Sequence, residues 1–219
     1  SDEIKRKLTA EVNAAYEKAL ENAKELSKTR IFAGNLFSKN VCEELCFLDM
    51  PSVRFAVDIK DCPLCENGID KVEFLLSANV GEDLKPLSKI ASGGELSRIM
   101  LAIKSVLSEK DGISTLVFDE IDTGVSGSAA QKIAVKLKQV SRSHQVICVT
   151  HLAQIAAYAD EHLFISKSEH DGQTYTELKS LSFDERKSEL ARIMGGFEVT
   201  SAMLESAEQM LLSANKVDK

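Results

Sequence analysis

The sequence lacks a long apolar run. None of its 219 residues lies in a stretch that approaches the roughly 20 consecutive apolar residues that a membrane-spanning helix needs. The pattern of a secretory signal peptide is also absent, because Ser1 to Lys7 are rich in charge and no apolar segment follows them. These absences argue against a membrane or secreted protein. Because the chain begins with serine, we expect it to be a piece of a longer polypeptide.

The sequence also lacks an excess of positive charge. Its 27 Lys and Arg stand against 34 Asp and Glu, and the net charge of −7 gives no support for a strongly basic nucleic-acid-binding protein. With 44% apolar and 28% charged residues, the composition is that of an ordinary soluble domain. The odd number of cysteines, five, favours reduced thiols in the cytoplasm.

No glycine or proline precedes Gly34, and the first segment has a helical pattern. Apolar residues recur at spacings of 3 and 4 from Ile4 to Leu26, and charges of both signs fill the other positions. This narrow stripe predicts a coiled-coil arm, with an amphipathic helix lying on a globular domain as the alternative. We assign residues 1–48 to the arm and 49–219 to a globular lobe.

The rest of the chain alternates between strand and helix patterns, which predicts an α/β fold. A strand, a helix and a second strand, at the spacing of a parallel βαβ unit, occupy residues 115–150. Upstream, two period-two runs predict strands at 53–59 and 71–76, with a loop at 61–68 between them. A predicted hairpin and two helices close the chain.

Two adjacent carboxylates, Asp119 and Glu120, directly follow the first strand of the βαβ unit. Ligands of open α/β sheets bind at the carboxyl ends of the strands, and charges there are costly unless something uses them. In a nucleotide hydrolase, a carboxylate at the place of Asp119 orders Mg²⁺, usually through water. One at the place of Glu120 orients or deprotonates the attacking water. The alternative is a pair of solvated acids at a strand end.

Ser92, Gly93, Gly94 and Glu95 open a predicted helix. A capping box of Ser92 and Glu95 explains both of those residues without a ligand. The two glycines disfavour the first helical turn, but they let a phosphate approach the backbone N–H groups and the positive end of the helix dipole.

A histidine, His151, follows the second strand of the βαβ unit, on the same sheet edge as Glu120. It could donate a hydrogen bond to a terminal phosphate, and the alternative is a surface histidine. Asp122, Thr123 and Gly124 follow the acids, and their alternative is a polar turn.

The order of these motifs is more specific than any one of them. It resembles the signature motif, the Walker B motif, the D-loop and the switch histidine of ABC ATPases. The wording is closest to the C-terminal part of the RecN family, the bacterial SMC-like proteins of double-strand-break repair. The segments that carry this resemblance are Ser77–Asn79, Lys89–Arg98, Phe118–Gly127, Val149–Gln154 and Leu190–Gly196.

The resemblance implies the C-terminal lobe of an ABC/SMC-type ATPase head that binds ATP and Mg²⁺. Two heads would sandwich two nucleotides, with Ser92, Gly93 and Gly94 of one head on the γ-phosphate held by the other. Asp119 and Glu120 would act in cis, whereas Asp122 would cross the interface. The implied partners are an N-terminal lobe, a second head and DNA, in the bacterial cytoplasm at the nucleoid.

One family motif is missing. No glycine in the sequence is followed by lysine, so the Walker A pattern Gly-x-x-x-x-Gly-Lys-Ser/Thr does not occur. Without this loop there is no cradle for the α- and β-phosphates. We therefore predict negligible ATP hydrolysis and weak nucleotide binding for this chain by itself.

Other interpretations stay open. The chain could be a nucleotide-binding subunit of an ABC transporter, although the arm and Glu95 argue against that, or a non-catalytic assembly module. A zinc site is a further hypothesis, with free thiols as the favoured alternative, and the cysteines concerned are Cys42, Cys46, Cys62 and Cys65. DNA contact has a similar alternative, a solvated helix face, and the basic residues concerned are Lys132, Lys136, Lys138 and Arg142.

Overall fold

The computed structural model describes residues 2–79, 81–89, 93–107, 111–170, 173–196 and 198–214. The chain divides into two compact units, Ser1–Ala91 and Ser92–Lys219. The division into an arm at 1–48 and a lobe at 49–219 stays a prediction. None of the helices in the described part of the chain combines the length and the apolar character that a bilayer crossing requires.

The first unit consists of one long helix and an antiparallel sheet. Its elements are α1 (Asp2–Phe47), β1 (Arg54–Cys65), β2 (Gly68–Ser77) and β3 (Lys85–Pro86), followed by a 3₁₀ turn at Leu87–Lys89. The strands pair in the order β1-β2-β3. Val41 and Leu45 of α1 are fully buried, whereas Ile4, Leu8 and Val12 at the other end of the helix are more than half exposed. The apolar stripe predicted for an arm therefore faces solvent over the first part of α1.

The predicted loop at residues 61–68 is wrong. Strand β1 continues through Cys65, and only a two-residue turn separates it from β2. The pairing register shifts between Asp61 and Cys65, so this stretch is a β-bulge, a place that accepts Pro63 with its missing N–H. In the described part of the chain no group of three or more His, Cys, Asp or Glu side chains is arranged to hold a metal ion.

The second unit contains the predicted parallel βαβ motif. Its elements are α2 (Gly93–Leu107), β4 (Thr115–Phe118), α3 (Gly127–Val140), β5 (Gln145–Cys148), α4 (Ala153–Ala156), β6 (Leu163–His170), β7 (Gln173–Ser180), α5 (Phe183–Gly195) and α6 (Ser201–Ala214). Strands β4 and β5 pair in parallel, and β6 and β7 form a separate antiparallel hairpin. The mixed α/β architecture and the long first helix confirm the predicted fold class.

The cores of the second unit follow from apolar periodicity. Helix α3 buries Ile133 and Ala134 completely, and Leu116 and Phe118 of β4 are also buried. A second cluster joins α4, α5 and α6, with Leu190 as a fully buried member. Helix α5 begins at a capping box formed by Ser182 and Glu185.

Candidate functional site

The carboxyl ends of β4 and β5 meet at one edge, and the first turn of α2 lies against the same edge. Ser97 of α2 donates a hydrogen bond from Oγ to the carbonyl oxygen of Asp119, at 2.7 Å. Arg98 donates to two more carbonyls of the loop after β4, Ile121 O at 3.3 Å and Thr123 O at 3.0 Å. The helix with the two glycines is therefore joined directly to the loop that carries the paired acids.

Arg98 is the main connection between helix and loop. Burial lowers the pKa of Arg98, and the nearby carboxylate of Glu95 opposes this shift. A guanidinium stays charged even so, and its fork of donors suits two carbonyls in one turn. The sequence offered one signal for this role, an arginine one helical turn after the glycines, but not its target.

The two glycines are where α2 and the loop approach most closely. A Cβ on Gly94 would lie 2.9 Å from the carbonyl oxygen of Glu120 and 3.0 Å from Cβ of Thr123. A Cβ on Gly93 would lie 2.4 Å from Oε2 of Glu120. This close packing gives the glycines a structural reason, in addition to the phosphate approach that the sequence predicts.

Both members of the acid pair are exposed. Oδ1 of Asp119 accepts a hydrogen bond from the backbone N–H of Glu120, at 2.8 Å. Glu120 has a positive φ of 56°, a left-handed conformation that costs a non-glycine residue on the order of 1–3 kcal/mol and concentrates at functional sites. An exposed carboxylate with an oxygen to spare fits a Mg²⁺ ion that keeps most of its ligands as water and phosphate.

Asp122 is placed differently from its neighbours, because it is 4% exposed. Its Oδ2 accepts hydrogen bonds from Oγ1 of Thr150 at 2.5 Å and from the backbone N–H of His151 at 2.9 Å. The ring atom Nδ1 of His151 lies 3.1 Å from the same oxygen. Strand β5 ends at Cys148, just before these contacts, so the predicted strand to residue 150 is two residues too long.

Cys148, the last residue of β5, is half-buried close to the carboxylates at this edge. Burial raises the pKa of its thiol to about 12, and the carboxylates of Asp122 and Asp119 add to the shift. The thiol is therefore neutral and a poor nucleophile. The same carboxylates attract a cation.

The structure brings together most of the predicted site residues. Gly93 and Gly94 lie beside Glu120, and Asp122 contacts His151. Ser92 lies outside the described residues, and its role and that of Glu95 stay predictions. Sequence reasoning missed the connecting roles of Ser97 and Thr150, since hydroxyl residues inside a helix or after a strand carry no distinctive pattern.

No family model matches the chain. Among individual curated proteins, the similar ones are DNA repair proteins called RecN. The DNA repair protein RecN of Bacillus subtilis is 53% identical over 154 residues, which cover 70% of this chain and 27% of that protein. RecN of Vibrio cholerae is 36% identical over 219 residues, covering 98% of this chain and 39% of that protein. The chain thus spans about a third of the length of the curated relatives it matches.

Solved structures give the fold. The Smc head domain with a coiled coil and joint from Pyrococcus yayanosii superposes with a TM-score of 0.60 at 24% identity, covering 94% of this chain and 36% of that one. The Smc head domain with an extended coiled coil from Pyrococcus furiosus gives a TM-score of 0.56 at 25% identity, covering 88% and 46%. The chain therefore corresponds to the C-terminal part of the RecN DNA repair proteins and has the fold of a part of an SMC head.

Proposed function

We propose that this chain is the signature-motif half of an SMC-like ATPase head that acts in DNA double-strand-break repair and recombination. The observation that carries the proposal is the single edge shared by Gly93, Gly94, Asp119, Glu120 and His151. Hydrogen bonds that α2 donates to the loop after β4, and one that Asp122 accepts from the backbone N–H of His151, hold these groups together. The similarity to RecN proteins supports the same activity class.

Each acid has a role that follows from its position. Bound Mg²⁺ neutralises charge on the β- and γ-phosphates of ATP. Asp119 would hold the hydrated ion through its exposed carboxylate, and Glu120 would orient or deprotonate the attacking water. Both carboxylates are exposed, and neither forms an ion pair with another of the described residues. Both are therefore accessible to a hydrated ion or a water molecule.

The signature residues would act on a second nucleotide. Ser92, Gly93 and Gly94 would meet the γ-phosphate of ATP held by another head, since a helix N-terminus attracts anions, and Glu95 would complete the same nucleotide-binding motif. ATP binding would close two heads on each other and hydrolysis would release them. A second copy of the whole protein is thus a proposed partner.

The grip on the rest of the nucleotide would come from an N-terminal lobe. One face of the β4–β5 sheet supports this partner, because Val117, Ile147 and Val149 are 66%, 47% and 56% exposed. Val117 and Ile147 are register partners, so they form a continuous apolar strip rather than scattered residues. Apolar surface of this kind marks an interface, and the relatives contain the additional chain that could cover it.

DNA contact is proposed for the complete protein and not for helix α3. Lys136 is 9% exposed, and the Lys138 ammonium forms an ion pair with Asp160. Two of the basic side chains that the sequence suggested for DNA contact, Lys136 and Lys138, are therefore less accessible to a phosphate. Action on DNA would also place the protein in the bacterial cytoplasm at the nucleoid.

ATP hydrolysis in trans tests the proposal. We expect that adding the N-terminal part of the same protein restores turnover, and that Glu120→Gln then lowers kcat by a factor of about 100 or more, since the general base contributes on that scale. The control is Glu205→Gln, which removes an exposed carboxylate from α6 and leaves the rate unchanged. A folded mixture without turnover supports the assembly-module alternative, and equal rates for the two variants contradict the role of Glu120.

A further inference from the structure

We infer that Asp122 is a positioning residue within its own head, which fixes the proton on Nδ1 of His151 and turns Nε2 outward. This inference rests on the proposed function for its purpose, because the outward nitrogen is the one that would meet the γ-phosphate. Its geometry stands on the described residues alone: a buried carboxylate oxygen, 3.1 Å from Nδ1, beneath a histidine side chain that is 74% exposed.

The chemistry of the donors determines the tautomer. An ionised carboxylate only accepts hydrogen bonds, and the same Oδ2 already accepts from the Thr150 hydroxyl and the His151 backbone N–H. Nδ1 can therefore contact this oxygen favourably only when Nδ1 carries a proton. In a neutral ring Nε2 is then an acceptor, so a hydrogen bond donated to a phosphate oxygen requires the doubly protonated imidazolium.

Hydrogen bonds from neighbouring groups hold the Asp122 carboxylate in this position. The Thr150 hydroxyl donates to Asp122 and accepts from the backbone N–H of Leu152 at 3.1 Å, so its orientation is fixed from both sides. Moving the Asp122 carboxylate away would leave two half-buried donors, the Thr150 hydroxyl and the His151 N–H, without this acceptor, which is unfavourable. These contacts support a role for Asp122 within its own head, beside the cross-interface role that the family resemblance implies.

Imidazole NMR of this chain tests the inference without nucleotide or partner. Long-range ¹H–¹⁵N spectra report which ring nitrogen of a neutral histidine is protonated, and a His151→Gln variant identifies the His151 signals among those of the four histidines. In the wild-type chain with a neutral ring, we expect a pyrrole-like Nδ1 and a pyridine-like Nε2. A protonated Nε2 in the wild type would overturn the inference, whatever the variants do.

Two substitutions distinguish an effect of the Asp122 carboxylate on the His151 tautomer from a general effect of altered packing. Asp122→Ala removes the acceptor, and the ring should change to the Nε2–H tautomer that free imidazole side chains prefer. Thr150→Val removes a neighbouring hydroxyl but leaves the carboxylate, and the Nδ1–H tautomer should remain. An unchanged tautomer in a folded Asp122→Ala chain would refute the role of Asp122. Because no ATP is present, these outcomes are independent of whether the proposed ATPase function holds.

Discussion

At the scale of single residues, the contact between α2 and the loop after β4 leaves no space for a side chain at Gly94. Its added Cβ would meet the backbone oxygen of Glu120 and the β-carbon of Thr123, and neither can rotate away. We expect Gly94→Ala to destabilise the chain by about 1–3 kcal/mol, the usual cost of overpacking a close contact. Urea unfolding of the purified chain measures this difference.

The neighbouring glycine provides the matched control. A Cβ on Gly93 would meet only the end of the Glu120 side chain, which is flexible and exposed. Gly93→Ala should therefore change the urea midpoint much less than Gly94→Ala does. Equal losses of stability would mean that the close approach of α2 to the loop is not what requires glycine at Gly94.

The residues of the candidate site were predictable from sequence to different degrees. Asp119, Glu120 and His151 could be found because parallel strands end at one edge, and a polar residue directly after an apolar strand must lie there. The burial of the Asp122 side chain could not be predicted. Residues 121–125 look like a polar turn, and their sequence pattern does not indicate which carboxylate is buried. The orientation depends on Thr150 and His151, which are 28 and 29 residues away in sequence.

At the scale of elements, Asp111 joins the segment before β4 to the segment before β5. Its carboxylate pairs with Lys104 of α2, lies 3.4 Å from Nε2 of His144, and accepts from the backbone N–H of Ile113 at 3.1 Å. The hydrogen bond from Lys104 is the largest cause, followed by that from Ile113, and together they lower the pKa of Asp111 to about 2. The Asp111 side chain is only 12% exposed, so solvent screens these contacts weakly.

This pairing predicts a pH dependence of stability. The pKa of Asp111 is lower in the folded chain than the ordinary value of 3.8, so its contribution is complete above about pH 5 and is lost as the pH falls toward 2. We expect Asp111→Asn to lower the urea midpoint at pH 7, and the difference from wild type to shrink between pH 4 and pH 2. Urea titrations across that range measure it. A difference that stays constant with pH would contradict an ionised Asp111 as the stabilising form, and Glu205→Gln serves as the exposed control.

Element boundaries show where local patterns stop being sufficient. Helix α1 was predictable because its apolar stripe has helical spacing and no glycine or proline interrupts it before Gly34. The continuation of β1 through Pro63 was not predictable, because proline and the nearby Gly68 indicate a loop when only the local sequence is considered. A bulge accommodates the proline and lets Cys65 pair again with Gly68. Pairing with β2, a tertiary contact, decides this segment.

At the scale of the whole molecule, the groups that we propose as one part of a nucleotide site all lie on one of the two compact units. The paired acids, the glycine-rich helix start and the histidine are held together by contacts within the second unit. The phosphate cradle of a P-loop is not encoded, because no Gly-Lys pair occurs in the sequence. An exposed apolar strip on β4 and β5 lies beside the acids, where a further lobe could pack.

The most direct test of this account is ATP turnover by the purified chain alone, measured beside its Glu120→Gln variant at saturating Mg²⁺ and ATP. The account predicts that both proteins hydrolyse ATP at the same background rate, because the groups that hold the α- and β-phosphates lie in a part of the protein outside this chain. Turnover by the wild-type chain that clearly exceeds that of Glu120→Gln would contradict it, since this chain would then contain a complete catalytic site.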